Sequence, residues 1–447
     1  MTNSISDQIT AALGREDTAN VQIAETGEGQ LRSCFQVADL AVSSVRAAAL
    51  ELAALTGARQ VALDRRLAQL WFDMTLRPNG WDLPSAWDAV AGDYPTSDGW
   101  IRLHTNAPHH RAAAMSVLGT APDRAQVAEA VADWEADNLE TAIVGAGGVA
   151  AAMRGLSDWA GHPQGQAVAA QPLIRWTHMG DGPKPDRQGL EGCRVLDLTR
   201  VLAGPIATRF LAGFGADVLR IDPPTWDEPG VVPEVTIGKR RAGLDLRRTK
   251  DREAFETLLA QADVLVHGYR PGALDGLGYD AGTRQRLRPG LIDVCLNAHG
   301  WDGPWAGRRG FDSLVQMSSG IAAEGMKRAR ADRPVPLPVQ ALDHATGYLI
   351  AAAVLRALRL RVQNGAGWSA HLSLARTATL LTSAGAGDFT GGDLRDRGED
   401  LAPDVEQTAW GPARRLRFPV TLEGKGPDWR IPAGHLRVDP AQWAQRP

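Results

Sequence analysis

A chain of 447 residues exceeds what one ordinary hydrophobic core organises, so two domains are expected. Its hydrophobic share of 44% and charged share of 22% describe a globular protein rather than a disordered one. The net charge of −4 gives no general attraction to nucleic acid or to an anionic membrane, and no apolar run reaches the roughly 18 residues of a membrane helix.

Residues 1–30 are polar and read as a loose lead-in; MTNSISDQIT has neither the basic nor the apolar region of a secretory leader. ADLAVSSVRAAALELAAL (38–55) is helical by its apolar spacing, Thr56-Gly57 ends it, and VALDRRLAQLW continues as a strand or a strand leading into a helix. DYPTSDGWIRLHT, from Asp93, predicts strand, turn and strand, with helices over 108–118 and 123–142. GHPQGQ (161–166) reads as a loop, and the Gly-, Pro- and charge-rich residues 179–192 as a linker. Beyond it, Cys193–Leu198 is an apolar strand, Pro205 is placed to open a helix and Gly215 to close it, and VLRID is the next strand. A helix over 251–261 and strands ADVLVHG and LIDVCLNAHG repeat the pattern. A long helix over 342–360 and strand WSAHLSLA complete it. Such alternation predicts a doubly wound, Rossmann-like parallel sheet. The last 70 residues carry few periodic runs and are expected to wrap over the rest. VADLAVSSVRAAALELAALTGARQVALDRRLA also parallels QALDHATGYLIAAAVLRAL…GWSAHLSLARTA in order and texture.

The loop Thr199–Pro205 is neither a GxGxxG fingerprint nor a P-loop, yet it opens a helix where backbone N–H groups can meet phosphate. The densest cationic stretch, KRRAGLDLRR (239–248), is either a solvated loop or a phosphate clamp. It lacks the interleaved aromatics of a nucleic-acid surface. His104, His109 and His110 stand close together without the carboxylate or cysteine spacing of a metal site, so no metal is expected. Cys34, Cys193 and Cys295 are widely spaced with no CxxC, which suits a reducing, cytoplasmic setting.

Five segments then occur in a telling order: VLDLTRVLAGPIATRFLAGFGADVLRID, KRRAGLDLR, ADVLVHGYRPGALDGLGYD, GWDGPWAGRRGFDSLVQMSSG and ALDHATGYL. Over about 185 residues they resemble the family III CoA-transferases, which include formyl-CoA and carnitine-CoA transferases and the α-methylacyl-CoA racemases. The resemblance implies a CoA-binding sheet domain with a smaller α+β lid domain, an aspartate nucleophile, and a CoA thioester as substrate with no tightly bound cofactor. It also implies a carboxylic acid as second substrate and an interlocked homodimer, or a heteromer with a paralogous chain. Asp343 falls on the nucleophile, with Gly347 one helical turn later. Arg200, Val201, Leu202, Ala203, Leu244, Arg247, Gly268, Tyr269 and Arg309 fall on positions that contact CoA. Gly276 stands where transferases can carry a basic residue.

The racemase branch uses a histidine where this chain has Phe311 and a glutamate near Ala107. Moving an α-proton needs a base on one face and an acid on the other, so transfer is expected rather than racemisation. A non-catalytic CoA-binding protein is the remaining alternative. Segment order departs from the family: residues 30–180 resemble its second half, including the lid, and 190–376 its first half, while 377–447 form a tail. Asp39 would then be a degenerate counterpart of Asp343, and Ser43 stands where glycine would follow. At the start of a helix, Asp343 is expected to stay ionised.

Overall fold

Between residues 194 and 373 strand and helix alternate, and parallel pairing follows because each crossover returns the chain to the same end of the sheet. The computed structural model describes residues 4–14, 20–185 and 189–444. Five of its helices frame the site: α1 (Val37–Thr56), α2 (Pro108–Leu118), α3 (Ala203–Gly213), α4 (Asp312–Ser318) and α5 (Ala341–Asn364). The main sheet contains β1 (Arg175–Asp181), β2 (Arg194–Leu198), β3 (Asp217–Asp222), β4 (Lys239–Gly243), β5 (Val264–His267), β6 (Ile292–Asn297) and β7 (Ala366–Ser373).

Their order is β4-β3-β2-β5-β6-β7-β1. All neighbours pair parallel except β1, which runs antiparallel to β7. The strand order reverses between β2 and β5. Leu198 pairs in register with His267 there, so the loops after these two strands open side by side. In a doubly wound sheet that crevice is where ligands bind.

Three smaller sheets surround this one. Gly92–Pro95, Trp100–Leu103 and Ala150–Ala152 form an antiparallel unit with α2 against it. The tail supplies Leu401–Thr408 and Gly411–Leu416, which extend to Leu76–Pro78, and Val420–Leu422, which pairs with Gln60–Asp64. A buried Glu234 fastens the tail: it accepts from Arg415 at 3.1 Å and from Thr75 at 2.6 Å, and pairs with Arg209.

Local chemistry revised several expected elements. The helix expected over 123–142 is two, Arg124–Ala132 and Ala136–Gly145, each with its own N-cap. GHPQGQ lies mostly in a helix, Pro163–Ala169, because His162 caps it by accepting from the Gln164 N–H at 3.0 Å. Pro205 sits at the third position of α3, where an N–H has no partner within the helix, so its absence costs nothing. The expected linker begins inside β1, and its residues 186–188 lie outside the described residues.

The two parallel stretches noticed in the sequence share backbone geometry. The residues before α1 and α5, Gln36 and Gln340, have φ/ψ of −77°/55° and −74°/61°. Both helices end on a left-handed glycine, Gly57 and Gly365, and both lead into a strand whose last residue caps a further helix. α1 and α5 pack along one another through Ala-rich faces, with α3 on α5's other side. Small side chains bring such axes close.

Candidate active site

Thr199 to Leu202 leave β2 in a turn fixed from below. Buried Asp197 accepts from the Thr199 N–H at 2.9 Å, from Thr208 Oγ1 at 2.5 Å and from Lys239 Nζ at 3.2 Å. Val201 is held at φ 65°, a region a β-branched residue avoids. Its N–H donates to Glu228 Oε2 at 2.9 Å, and Glu228 is itself held by Trp226 and the fully buried Arg220. The strain is stabilised by that network, and Val201 lines every cavity around the site.

The second turn of α5 packs against the start of α3, just after this loop. A Cβ on Gly347 would stand 2.5 Å from the Ala203 carbonyl oxygen and 3.0 Å from Ile206 Cβ. Gly347→Ala is therefore expected to cost about 1–3 kcal/mol and push the 199–203 loop outward. Thermal unfolding and CoA affinity would register both effects.

Asp343, at the third position of α5, is 7% exposed. Its backbone N–H donates to Asp312 Oδ2 at 2.9 Å, while Asp312 Oδ1 accepts from Gln316 at 2.5 Å. Among the described residues the Asp343 carboxyl itself makes no ion pair or hydrogen bond. Burial first, and the Asp312 charge second, hold it well above the usual carboxylate range; burial pushes Asp312 up to about 6. Burial and the Asp312 charge thus oppose the ionised form that the helix start favours. A helix dipole contributes at most about 2 kcal/mol, less than the desolvation of an unpaired buried carboxylate.

Asp343 lies where two cavities meet. One, of about 430 Å³, runs along the crevice between β2 and β5 and is lined by Arg200, Val201, Ala203, Gly268, Tyr269 and Arg309. Arg200 stacks between the rings of Trp226 (4.7 Å) and Tyr269 (5.2 Å). Arg270, Arg308 and Arg309 also face it. Arg308 is neutralised by Glu140 at 3.0 Å, but Arg270 and Arg309 form no ion pair among the described residues. Burial and the neighbouring Arg270 hold Arg309 below its ordinary value, as expected of two adjacent guanidiniums without a carboxylate partner.

The second cavity, of about 290 Å³, lies on the other side of Asp343 and is lined by Leu202, Phe72, Met74, Trp87, Val339 and His344, among others.

Leu244 and Arg247 do not reach either cavity. Leu244 packs in the core beside the sheet, and Arg247 is exposed and paired with Asp245 at 2.8 Å. The phosphate-clamp alternative for residues 239–248 meets the same obstacle. Lys239 is buried against Asp197, Arg240 pairs with Asp217, and Arg241 with Asp439.

Asp312 was not singled out in the sequence, whereas His104 and His110 were noted there only as a cluster without metal-site spacing. His104 stacks flat on Phe311 at 3.8 Å, and His110 meets the same ring edge-on at 6.0 Å. Burial pushes both imidazoles down to about 3, so both are neutral. The clustering of three histidines between 104 and 110 was the available signal. The antiparallel unit carrying them covers the site from within the same chain. Among the described residues, no group of three or more His, Cys, Asp or Glu could hold a metal, and no helix is long and apolar enough to cross a membrane.

Comparison with known proteins bears on the same segment. Residues 190–408 match the family described as CoA-transferase family III. Acetyl-coenzyme A transferase nodX of Hypoxylon pulicicidum is 34% identical over 46% of this chain and 36% of its own length. A probable fatty acyl-CoA transferase of Mycobacterium tuberculosis is 33% identical over 39% and 48%. Succinyl-CoA:glutarate CoA-transferase of Mus musculus is 31% identical over 48% and 47%. The chain thus spans half or less of the length of these relatives.

Proposed function

Residues 190–408 belong to CoA-transferase family III, and on that premise we propose that this chain moves CoA from an acyl-CoA to a second carboxylic acid, with Asp343 as nucleophile. The observation that carries the reading is the position of Asp343: a guanidinium-lined crevice on one side, and on the other a chamber that, among the described residues, is lined by no Lys or Arg. CoA would lie in the crevice with its phosphates at Arg270 and Arg309 and its thioester at Asp343. Arg200, Val201, Ala203, Gly268 and Tyr269 would line its path.

An Asp343 carboxylate oxygen attacks the thioester carbonyl, and the C–S bond breaks to give a mixed anhydride and CoA thiolate. The thiolate attacks the aspartyl carbonyl, releasing the first acid and leaving an aspartyl-CoA thioester. The second acid's carboxylate reverses both steps, so no net proton or electron is consumed. First-turn N–H groups of α3, at Ala203 and Gly204, have no partner within the helix and suit the developing oxyanions. A carboxylate poor in solvent is also the more reactive one.

Because the proton must leave Asp343 before attack and burial holds that carboxyl above its usual range, the transfer rate is expected to rise with pH at values above the ordinary carboxylate range. Asp312 acts as a positioning residue, and Asp312→Asn removes the adjacent charge that helps retain that proton. The rise should move to lower pH, as read from a pH–rate profile.

Exchange of labelled acid into acyl-CoA tests the whole reading, with hydroxylamine trapping to place a mass label on Asp343. No exchange and no label, in a protein that still binds CoA, would favour a non-catalytic CoA-binding role. Deuterium wash-in at the α-carbon of a branched acyl-CoA would favour racemisation, and none is expected with Phe311 and Ala107 at the two positions that chemistry uses. In the first half, Asp39 occupies the same helical position as Asp343 but is exposed and paired with Arg65 at 3.4 Å, which supports a structural role. With the covering unit supplied in cis, a closed site does not require a partner chain. A cytoplasmic setting remains part of the reading, supported by three free, buried cysteines that suit a reducing environment.

A further inference from the structure

Resting on the transfer reading above, the geometry points to a selection rule for the acyl group: the acid that takes up CoA is a monocarboxylic acid with an aliphatic or aromatic body and no second negative charge.

The chamber behind Asp343 holds about 290 Å³. At roughly 30 Å³ per water-sized group, it accepts about ten heavy atoms. Phe72, Met74, Trp87, Val339 and Leu202 give it an apolar lining, and among the described residues none that lines it is Lys or Arg. The charged groups that do line it are carboxyls, Asp73, Glu234 and Asp312. An adjoining space of about 210 Å³ shares Trp87, His104 and Phe311 with it, and adds Asp88, Asp227 and Glu228, again without Lys or Arg.

Among the described residues no other group supplies the missing cation. His104 and His344 are both pushed down to about 3, chiefly by burial, and stay neutral. Arg102 lies behind Trp87, 5.0 Å from its ring, and is held by Asp93 at 2.7 Å. Arg209 is buried beside Trp71 and paired with Glu234. Neither guanidinium lines the chamber. A distal carboxylate would therefore be desolvated beside other carboxyls with nothing to pair it. The cationic groups stand instead on the CoA side, where they cannot discriminate between acids. The mouse relative's name specifies succinyl-CoA and glutarate, each with a distal carboxylate for which this chamber offers no partner.

Two measurements on the full chain test the rule. With one acyl-CoA donor, kcat/KM is compared for acids of matched length, hexanoate against adipate and benzoate against terephthalate. The monoacid is expected to be favoured at least tenfold, and any smaller ratio overturns the rule. Calorimetric binding of the same pairs to the CoA-saturated protein is the second measurement, with the same tenfold threshold. If no acid exchanges while the binding preference holds, the transfer reading fails and the chamber assignment stands. Equal binding of monoacid and diacid overturns the chamber assignment, whether or not exchange occurs.

Discussion

Asp343→Ala is expected to lower CoA exchange at least about 10⁴-fold, because both covalent intermediates are built on the atoms it removes. CoA affinity is expected to stay within about tenfold of wild type, since the crevice guanidiniums are untouched. Labelled-acid exchange and equilibrium CoA binding, measured on the same preparation, separate the two effects. Wild-type-like exchange would remove Asp343 from the mechanism. The conservative variant adds a stability readout. In the folded state Asp343 binds its proton more tightly than in the unfolded chain, where an aspartate titrates near about 3.9. Its contribution to stability is therefore complete below that value and is lost as pH rises toward the folded one. Asp343→Asn cannot ionise and escapes that loss. As pH rises above the unfolded value, its denaturant midpoint is expected to rise relative to wild type, while exchange remains abolished.

The second large effect belongs to the crevice. Arg270→Ala combined with Arg309→Ala is expected to weaken CoA binding about 100-fold. Each charge-assisted contact contributes about 1.5–3 kcal/mol when screened little, and solvent exposure of Arg270 places it toward the low end. The salt dependence of binding is expected to flatten in parallel. Acyl-N-acetylcysteamine thioesters carry no phosphate, so their turnover is expected to be unchanged in the double variant. A comparable loss on those short thioesters would show that the arginines support the fold rather than hold phosphate.

The βα alternation from 194 to 373, the helix carrying Asp343 and the crevice loop at 200–203 were legible because each depends on local periodicity and turn chemistry. Arg240 and Arg241 were not, since the carboxylates that neutralise them, Asp217 and Asp439, are brought in by pairing with a neighbouring strand and by a returning tail. The packing of His104 and His110 on Phe311 was hidden for the same reason: only the tertiary fold brings that ring, some 200 positions on, to the histidine cluster. Asp312 was adjacent to a recognised position, yet its role depends on a hydrogen bond across 31 residues. The burial that raises the Asp343 carboxyl was not legible, because position on a helix is visible in sequence and depth of burial is not. The strand Arg175–Asp181 was hidden by a Gly- and Pro-rich run that begins inside it.

The packing of α1 along α5 sets the order in which this chain can be made. Roughly 300 residues separate the two helices, and at about 5–20 residues per second a ribosome needs about 15–60 s to cross them. Throughout that interval the apolar face of α1 lacks its partner. The strand at Gln60–Asp64 waits longer still, for Val420–Leu422. Local units such as the Gly92–Ala152 sheet can close early, whereas the core around Asp343 closes last. Nascent chains of this protein therefore carry an exposed Ala- and Leu-rich helix for most of their synthesis, a natural client surface for chaperones. Truncations near the C-terminus are correspondingly expected to fail by never closing that core, even though the catalytic segment is intact.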